Sequence, residues 1–407
     1  MTLRTTVAII GAGPAGLLLA QLLHRAGIDS VVLESRSRDY VESRVRAGVL
    51  EEGAAQLLQD AGVGERLDRE GLEHGGIHLR FGGESHRIDF KELTGRGIVI
   101  YGQQEVVKDL VQARLAAQAP ILFEAGAREV RGIDDDHPTV LFSHEGREDR
   151  LECDYVAACD GSHGIGRAAM VARGAITYER NYPHAWLGIL AATPPAADEL
   201  IYAYHEHGFA LHSMRSPTVS RLYLQVASDE TLDGWPVERI WSELRLRLNE
   251  PTLEAGEILD LGITPMTSTV LEPMQSEGLF LAGDAAHIVP PTGAKGMNLA
   301  LADVAVLAAA LTDRIKTGQS ESLNSYTLNC LKRVWRAQYF SSFMTQLLHR
   351  ERLEDAAGRA QGAPDFDDQI HLAQLRYVTS SRAASKALAE NYTGAAMGSV
   401  SWGKIGP

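Results

Sequence analysis

The chain has 407 residues, of which 45% are hydrophobic and 23% charged, and it carries a formal net charge of −14. That balance excludes a disordered chain, and the acidic excess argues against general nucleic-acid or anionic-membrane binding, so small molecules are the expected ligands. Three cysteines, Cys153, Cys159 and Cys330, show no Cys-x-x-Cys spacing. Neither a disulfide framework nor a metal is expected from them, and reduced thiols in a cytoplasmic protein are the expectation.

No internal repeat or low-complexity linker divides the chain. Residues 5–10 read as a strand, 11–16 as a glycine-rich turn, 17–26 as a helix with Gly27 at its C-cap, and 30–34 as the next strand. The first apolar run meets glycines and not a small-residue cleavage site, so it lacks the layout of a signal peptide. No uninterrupted apolar run reaches the roughly 18 residues that suggest a membrane span. A helix is predicted over 51–61, alternating strands over 76–90, and a helix over 104–117 with Leu110, Val111 and Leu115 on one face. Short strands follow at 121–123, 129–133, 139–143 and 154–158. A second group at 186–192, 209–213 and 221–227 would make a sheet covering a substrate. A strand at 279–282 leads into another glycine- and proline-rich turn, and helices over 298–314, 326–350 and 368–390 precede a loose tail after Gly394.

Gly11-Ala12-Gly13-Pro14-Ala15-Gly16 is a G-x-G-x-x-G between strand and helix, and Glu34 closes the following strand. Gly11 permits the tight turn, Gly13 lets backbone approach a pyrophosphate, and Gly16 allows helix and strand to pack closely. Helix N–H groups then face the phosphates, and Glu34 would accept from adenosine ribose hydroxyls. Alone, this motif does not choose FAD over NAD. Gly283-Asp284-Ala285-Ala286-His287 follows an apolar strand and runs through Pro290-Pro291-Thr292-Gly293-Ala294-Lys295-Gly296-Met297-Asn298 into a helix. Asp284 can hold a ribityl or ribose hydroxyl, and the helix starting near Gly296 directs free N–H groups toward negative charge on a flavin ring.

With Asp160-Gly161 between them, these motifs resemble the class A flavoprotein monooxygenases. Arg46-Ala47-Gly48-Val49-Leu50-Glu51, Tyr101-Gly102-Gln103, Glu199-Leu200-Ile201-Tyr202 and the stretch 281–298 are similar to the para-hydroxybenzoate hydroxylase (4-hydroxybenzoate 3-monooxygenase) family, and the likeness runs from Val7 to Gly394. The resemblance implies an α/β fold: a Rossmann-like, GR2-type FAD-binding domain interleaved with a mixed-sheet substrate domain, plus C-terminal helices. Residues 1–175 would form the FAD-binding domain, with strands near 76–102 contributing to the substrate side. Residues 176–270 would form the substrate sheet, 271–394 complete the FAD site and supply interface helices, and 395–407 form the tail. It implies a homodimer that uses FAD, NADPH and/or NADH, and O2 to hydroxylate 4-hydroxybenzoate to 3,4-dihydroxybenzoate through a flavin C4a-hydroperoxide.

By that resemblance Glu34, Arg44, Arg46, Gln103, Asp160, Arg221, Asp284, Gly296 and Asn298 serve the flavin with the three glycines. Ser213, Arg215 and Tyr223 hold the substrate carboxylate, an arginine with two hydroxyls being a suitable receptor for a benzoate anion. Tyr202 faces the substrate hydroxyl, with Tyr392 behind it and His74 at the outer end of a proton relay. Pro291 and Thr292 contact the substrate through backbone. Arg36, Tyr40, Arg44, His163 and Arg167 would receive the nicotinamide coenzyme. NADPH-preferring members usually have arginine and glutamine after the glutamate, where this chain has Ser35-Arg36, and a further family arginine is replaced near Thr267. Arg36 or Arg38 could compensate, so both coenzymes are expected to work, with the preference open. The rivals are a related hydroxylase of 4-aminobenzoate or 3,4-dihydroxybenzoate, and a non-catalytic flavin- or NAD-binding regulator.

Overall fold

A computed structural model describes residues 2–46, 48–350 and 366–394. Ala47, within one of the telling stretches, and the expected tail lie outside the described residues. Two large sheets organise the rest. The first has six strands in the order Gln275–Ser276, Leu279–Leu281, Tyr155–Ala158, Val7–Ile10, Ser30–Leu33, Ile121–Leu122. Its neighbours from Leu279–Leu281 to Ile121–Leu122 are parallel. Val7–Ile10 is buried at every position, as a parallel strand covered on both faces must be, which is why it reads as a continuous apolar run.

Helix Pro14–Arg25 starts with proline at its first turn and ends at Ala26, with Gly27 at φ +70° just beyond. It packs against Gly296–Thr317, a 22-residue helix long and apolar enough to cross a membrane by length and composition. Two thirds of its most apolar window is buried inside the protein, against Pro14–Arg25 and helix Tyr326–Leu348, which makes it a core helix. Polar Asn298 and Asp303 interrupt its apolar sequence.

The second sheet has eight strands: His287–Ile288, Glu257–Glu272, Ile176–Ala192, Val219–Ala227, Ala210–Ser216, Leu200–Ala203, Gly76–Phe81 and Glu84–Asp89. All neighbours are antiparallel except Leu200–Ala203 with Gly76–Phe81. Alternation divides it into two faces. Leu187, Ile189, Ile201, Leu222 and Leu224 pack under helix Val237–Arg247, through Ile240, Trp241 and Leu244. Trp186, Tyr202, Phe209, Leu211 and Tyr223 face Phe340, Met344 and Leu348 of helix Tyr326–Leu348, and Tyr392 of helix Arg382–Tyr392.

Several local expectations differ. The strand expected over 5–10 is Val7–Ile10, and it is preceded by a separate strand, Thr2–Arg4, which pairs with Arg147–Glu152 in a four-stranded sheet. Leu115 is 40% exposed, whereas Leu110 and Val111 are buried with Val106 and Val107, because the buried stripe follows the earlier turn of that helix. The helix expected over 368–390 is two, Phe366–Ser380 and Arg382–Tyr392, since the Ser381 hydroxyl caps the second by accepting from the Ala384 N–H. The 16-residue strand Glu257–Glu272 was not anticipated, although Leu259, Leu261 and Ile263 alternate with Asp260, Gly262 and Thr264; the run is short, Leu259 is exposed, and Pro265 interrupts it.

Candidate active site

The three glycines of the first turn differ in what surrounds them. Gly11 has φ +101°, and a Cβ there would collide with the Cys159 carbonyl; a Cβ on Gly16 would collide with the Gly11 carbonyl. At Gly13 nothing lies within 4 Å of the Cβ position. Thus two glycines close the turn on itself and the third leaves open space before the helix N-terminus, where a pyrophosphate fits. Glu34 is buried and accepts from the Ala12 N–H at 2.8 Å and the Arg36 N–H at 2.8 Å, so the turn and the carboxylate are held together. A carboxylate has about four acceptor sites, which leaves capacity for a ribose. Asp160 caps helix Ile165–Ala172 by accepting from the Gly166 N–H at 3.0 Å, while its other oxygen is buried without a partner among the described residues. Burial raises its pKa.

At the second turn, Gly283 takes φ +63° and donates its N–H to Asp303 at 3.0 Å. The same Asp303 oxygen meets His287 Nε2 at 2.6 Å, so a buried pair pins both ends of the turn. Burial opposes protonation of His287, but Asp303 overrides it and its pKa is raised. Asp284 is left exposed on the outside of this turn. The space at Gly296, the first residue of its helix, is nearly open, with Val289 Cγ2 3.9 Å from the Cβ position. Asn298 is different: its Oδ1 accepts from the Glu51 N–H at 2.9 Å, and its Nδ2 donates to the Val49 and Ala294 carbonyls at 2.9 Å each. The Oδ1 and one amide donor therefore tether strand Val49–Glu51 and the other donor closes on Ala294, so the side chain of Asn298, expected among the residues serving the flavin, has both donors taken up within the protein. Arg44 and Arg46 are exposed, and Gln103 is half-buried at the first position of helix Gln103–Ala116. Burial against protein and then Arg44 lower the Arg46 pKa, while Asp284 and Tyr223 are among the neighbours that raise it.

On that sheet the register places Tyr202 opposite Leu211, Leu211 opposite Tyr223, and Tyr223 opposite Gly188. Ser213 stands opposite Arg221 in the next row on the same face. Gly188 matters by its smallness: a Cβ would press on the Arg221 guanidinium and the Tyr223 ring. Arg221 donates to Asp260 at 2.9 Å and lies 5.2 Å from the Tyr223 ring centroid. Arg215, beside Tyr223, has buried Nε and Nη1 atoms with no partner among the described residues. Burial lowers its pKa, yet a guanidinium stays protonated, so this is a cation whose fork awaits an anion. Ser213 is buried and donates weakly to the Met214 carbonyl at 3.3 Å, a bond it can exchange for a ligand oxygen.

Tyr202 and Tyr392 are fully buried with hydroxyls 2.5 Å apart. Burial raises both pKa values, so each stays a neutral phenol that can accept and donate at once. His74 does not sit at an outer, wet end of this pair. It is 1% exposed, its Nε2 lies 3.4 Å from Met214 Sδ, and its Nδ1 is without a partner among the described residues. Desolvation pushes its pKa down to about 4. The Tyr202–Tyr392 half of the expected relay is assembled and the direct link onward to His74 is not. Pro291 and Thr292 form a short 3-10 turn; the Pro291 carbonyl accepts from the Ala294 N–H, and the Thr292 hydroxyl accepts from Thr345 Oγ1 at 3.0 Å.

A family model described as an FAD binding domain matches residues 4–341. The p-hydroxybenzoate hydroxylase of Acinetobacter baylyi is 46% identical over 397 residues, covering 97% of this chain and 96% of that protein. The 3-(3-hydroxy-phenyl)propionate/3-hydroxycinnamic acid hydroxylase of Burkholderia cenocepacia is 27% identical over 75% of this chain and 56% of its own length. Among solved structures, a p-nitrophenol 4-monooxygenase from Pseudomonas putida superposes with a TM-score of 0.82 at 20% identity, covering 97% of this chain and 99% of that one. The chain belongs to the FAD-dependent aromatic hydroxylases.

In this hydroxylase the residues expected at the coenzyme lie outside the buried sites. Arg36 and Arg44 stand over the exposed Tyr40 ring, at 5.2 and 5.9 Å from its centroid. Arg38 is engaged with Glu42 at 2.7 Å, which leaves Arg36 the freer cation. Exposed His163 bonds Ser162 at 2.9 Å, and Arg167 reaches Thr269 at 3.3 Å. Sequence reasoning missed several residues that shape the hydroxylase's pocket. Gly188 and Trp186, whose ring is 4.7 Å from Tyr223, lie in an ordinary strand pattern and carry no motif. Lys295, buried and bonded to Glu51 at 2.6 Å and to the Tyr392 carbonyl at 2.8 Å, was visible only as one letter of the second turn.

Proposed function

We propose that this hydroxylase acts on 4-hydroxybenzoate and releases 3,4-dihydroxybenzoate, with O2 and a reduced nicotinamide as co-substrates. The observation that carries the reading is the pairing, on one sheet face, of Arg215, whose buried Nε and Nη1 have no partner among the described residues, with the Tyr202–Tyr392 hydroxyl pair. Tyr202 and Tyr223 are two strands apart, about 10 Å between backbones, a spacing suited to an aromatic ring with polar groups at opposite ends. The 46% identity to a p-hydroxybenzoate hydroxylase supports the same substrate.

Arg215 offers the carboxylate a fork, and the Ser213 and Tyr223 hydroxyls are placed to add a bond each. The substrate phenol donates to Tyr202, which donates to Tyr392; withdrawing that proton enriches the ring carbon ortho to the phenol oxygen in electron density. FAD, when bound, supplies hydride acceptance from the coenzyme and delivery of one oxygen atom of O2 to that carbon, the other leaving as water. Glu34, the space at Gly13, Arg46 and the helix N-terminus at Gly296 would hold it. The neutral tyrosines keep the proton path inside a water-excluding core.

Arg36, Tyr40 and Arg44 would receive the coenzyme, and with Ser35 and Thr267 where further cations are expected, both NADH and NADPH serve. Steady-state kinetics with each coenzyme test this, and a large NADPH preference would refute it. A homodimer is supported by an apolar row on helix Tyr326–Leu348, where Leu328, Trp335 and Tyr339 are exposed, and Tyr178 packs edge-on to Trp335 at 5.5 Å. Light scattering on the protein and on Tyr339→Glu tests it, a monomeric wild type refuting it. For the reaction itself, product analysis over a panel of 4-substituted benzoates decides: 4-hydroxybenzoate should be converted fastest, and faster turnover of 4-aminobenzoate would overturn the assignment.

A further inference from the structure

Helix Tyr326–Leu348 ends directly behind the substrate face, and its C-cap residue is His349. This imidazole is buried and lies against Phe209 at 4.4 Å and Trp186 at 5.9 Å between centroids, with His184 stacked on it at 4.6 Å. The indole Nε1–H of Trp186 points at His349 Nε2, 2.6 Å away. An indole nitrogen only donates, so Nε2 must be the bare acceptor and Nδ1 must carry the proton. That proton has a destination: Nδ1 is 3.0 Å from the Thr345 carbonyl. Burial, followed by the proximity of His184, holds the His349 pKa well below its ordinary value, which preserves the neutral tautomer this arrangement needs.

The chain of contacts continues at both ends. On one side Trp186 lies against Tyr223, which stands beside Arg215. On the other, Thr345 donates its hydroxyl hydrogen to either Thr292 Oγ1 at 3.0 Å or the Ser341 carbonyl at 2.8 Å, tying the helix to the Pro291–Gly293 turn. The following residue is fixed too, since Gln225 Oε1 accepts from both the Phe209 and Arg350 N–H groups. His349 therefore cannot drift without releasing the indole.

We infer that His349 is a positioning residue for substrate binding: by accepting from Trp186 it sets the plane of the indole against which Tyr223 is held at the carboxylate receptor. It touches neither substrate nor flavin in this account. It acts through Trp186, and so its effect belongs in substrate affinity and not in the oxygen-transfer step.

The inference rests on the reading of Arg215 as carboxylate receptor, and the two fail separately. If that reading is wrong, the wild-type enzyme will accept 4-hydroxybenzamide as well as 4-hydroxybenzoate, before any variant is made. Given a carboxylate preference, His349→Leu is expected to raise KM for 4-hydroxybenzoate about tenfold, the worth of one buried hydrogen bond with its donor stranded. Its kcat and its FAD retention should stay within about twofold, as loss of uniform binding predicts. His349→Gln, which keeps an acceptor near the Nε2 position, should recover most of the loss. Trp186→Phe should raise KM by itself, and adding His349→Leu to it should bring no further rise. An unchanged KM in His349→Leu, or effects of the two substitutions that multiply, would overturn the inference. Should His349→Leu fail to fold as a flavoprotein, Trp186→Phe and Trp186→Phe/His349→Gln carry the test: equal KM values support it, and a further rise in the double variant refutes it.

Discussion

Replacing Arg215 with methionine should lower affinity and leave stability unharmed, two effects of opposite sign for one residue. In the free protein its Nε and Nη1 are buried without partners among the described residues, so the guanidinium is desolvated and only partly compensated, by Tyr223. An apolar side chain of similar length removes that cost, and the melting temperature of Arg215→Met should equal or exceed that of wild type. The liganded protein loses a buried, bidentate, charge-assisted contact. Truncating one partner of such a pair costs about 2–5 kcal/mol, which is roughly a 30-fold to several-thousand-fold rise in Kd. The assay is titration of the purified flavoprotein with 4-hydroxybenzoate, read by flavin absorbance, beside thermal unfolding without ligand. A variant that binds within about threefold of wild type, or one that binds poorly because it melts well below wild type, would refute the assignment.

Tyr202→Phe removes the hydroxyl that meets Tyr392 at 2.5 Å and should leave substrate-stimulated coenzyme oxidation running while product per coenzyme falls; an unchanged ratio would sink the proton-transfer role. Gly13→Val should fold and lose FAD, because its side chain would fill the open space before the helix, whereas Gly16→Val should fail to fold, colliding with the Gly11 carbonyl. A yellow Gly13→Val protein with wild-type flavin content would contradict that placement. Acid stability tests the buried histidines: burial depresses the folded pKa of His184 to about 4, so between its ordinary value near 6.5 and that value the unfolded chain binds more protons and stability falls as pH falls. His184, with neither ring nitrogen partnered among the described residues, contributes about 2 kcal/mol of this loss at pH 5. His184→Phe should therefore gain on wild type between pH 7.5 and pH 5 in urea unfolding, and parallel midpoints at the two pH values would refute the cause.

Much of the cofactor end was legible in the chain because its chemistry is local. Gly11, Gly13, Gly16 and Glu34 lie within one strand–turn–helix–strand unit, and their spacing dictates a geometry that the Ala12-to-Glu34 bond closes. The parallel core strands were legible as apolar runs. Less was legible where function depends on partners far apart in sequence. Nothing near Asn298 announces that its amide will be consumed by Val49 and Glu51, some 250 residues away, and nothing near His74 announces Met214. Gly188 and Trp186, neighbours on one strand, meet Tyr223 and His349 only when three segments come together on one face. Strand Glu257–Glu272 escaped notice because its alternation, Leu259, Leu261 and Ile263, is short and runs into Pro265, a residue that argues against a strand. The resemblance to known hydroxylases bridged much of this distance, by naming Tyr202, Arg215 and Tyr392 before their positions could be derived.

The most direct test of the account is to purify the protein, record its flavin spectrum and follow coenzyme oxidation with and without 4-hydroxybenzoate while assaying product. A yellow protein whose coenzyme oxidation rises on adding 4-hydroxybenzoate, with 3,4-dihydroxybenzoate formed, is the predicted result. Bound flavin with no substrate-stimulated oxidation, or stimulation without the dihydroxy product, would contradict it.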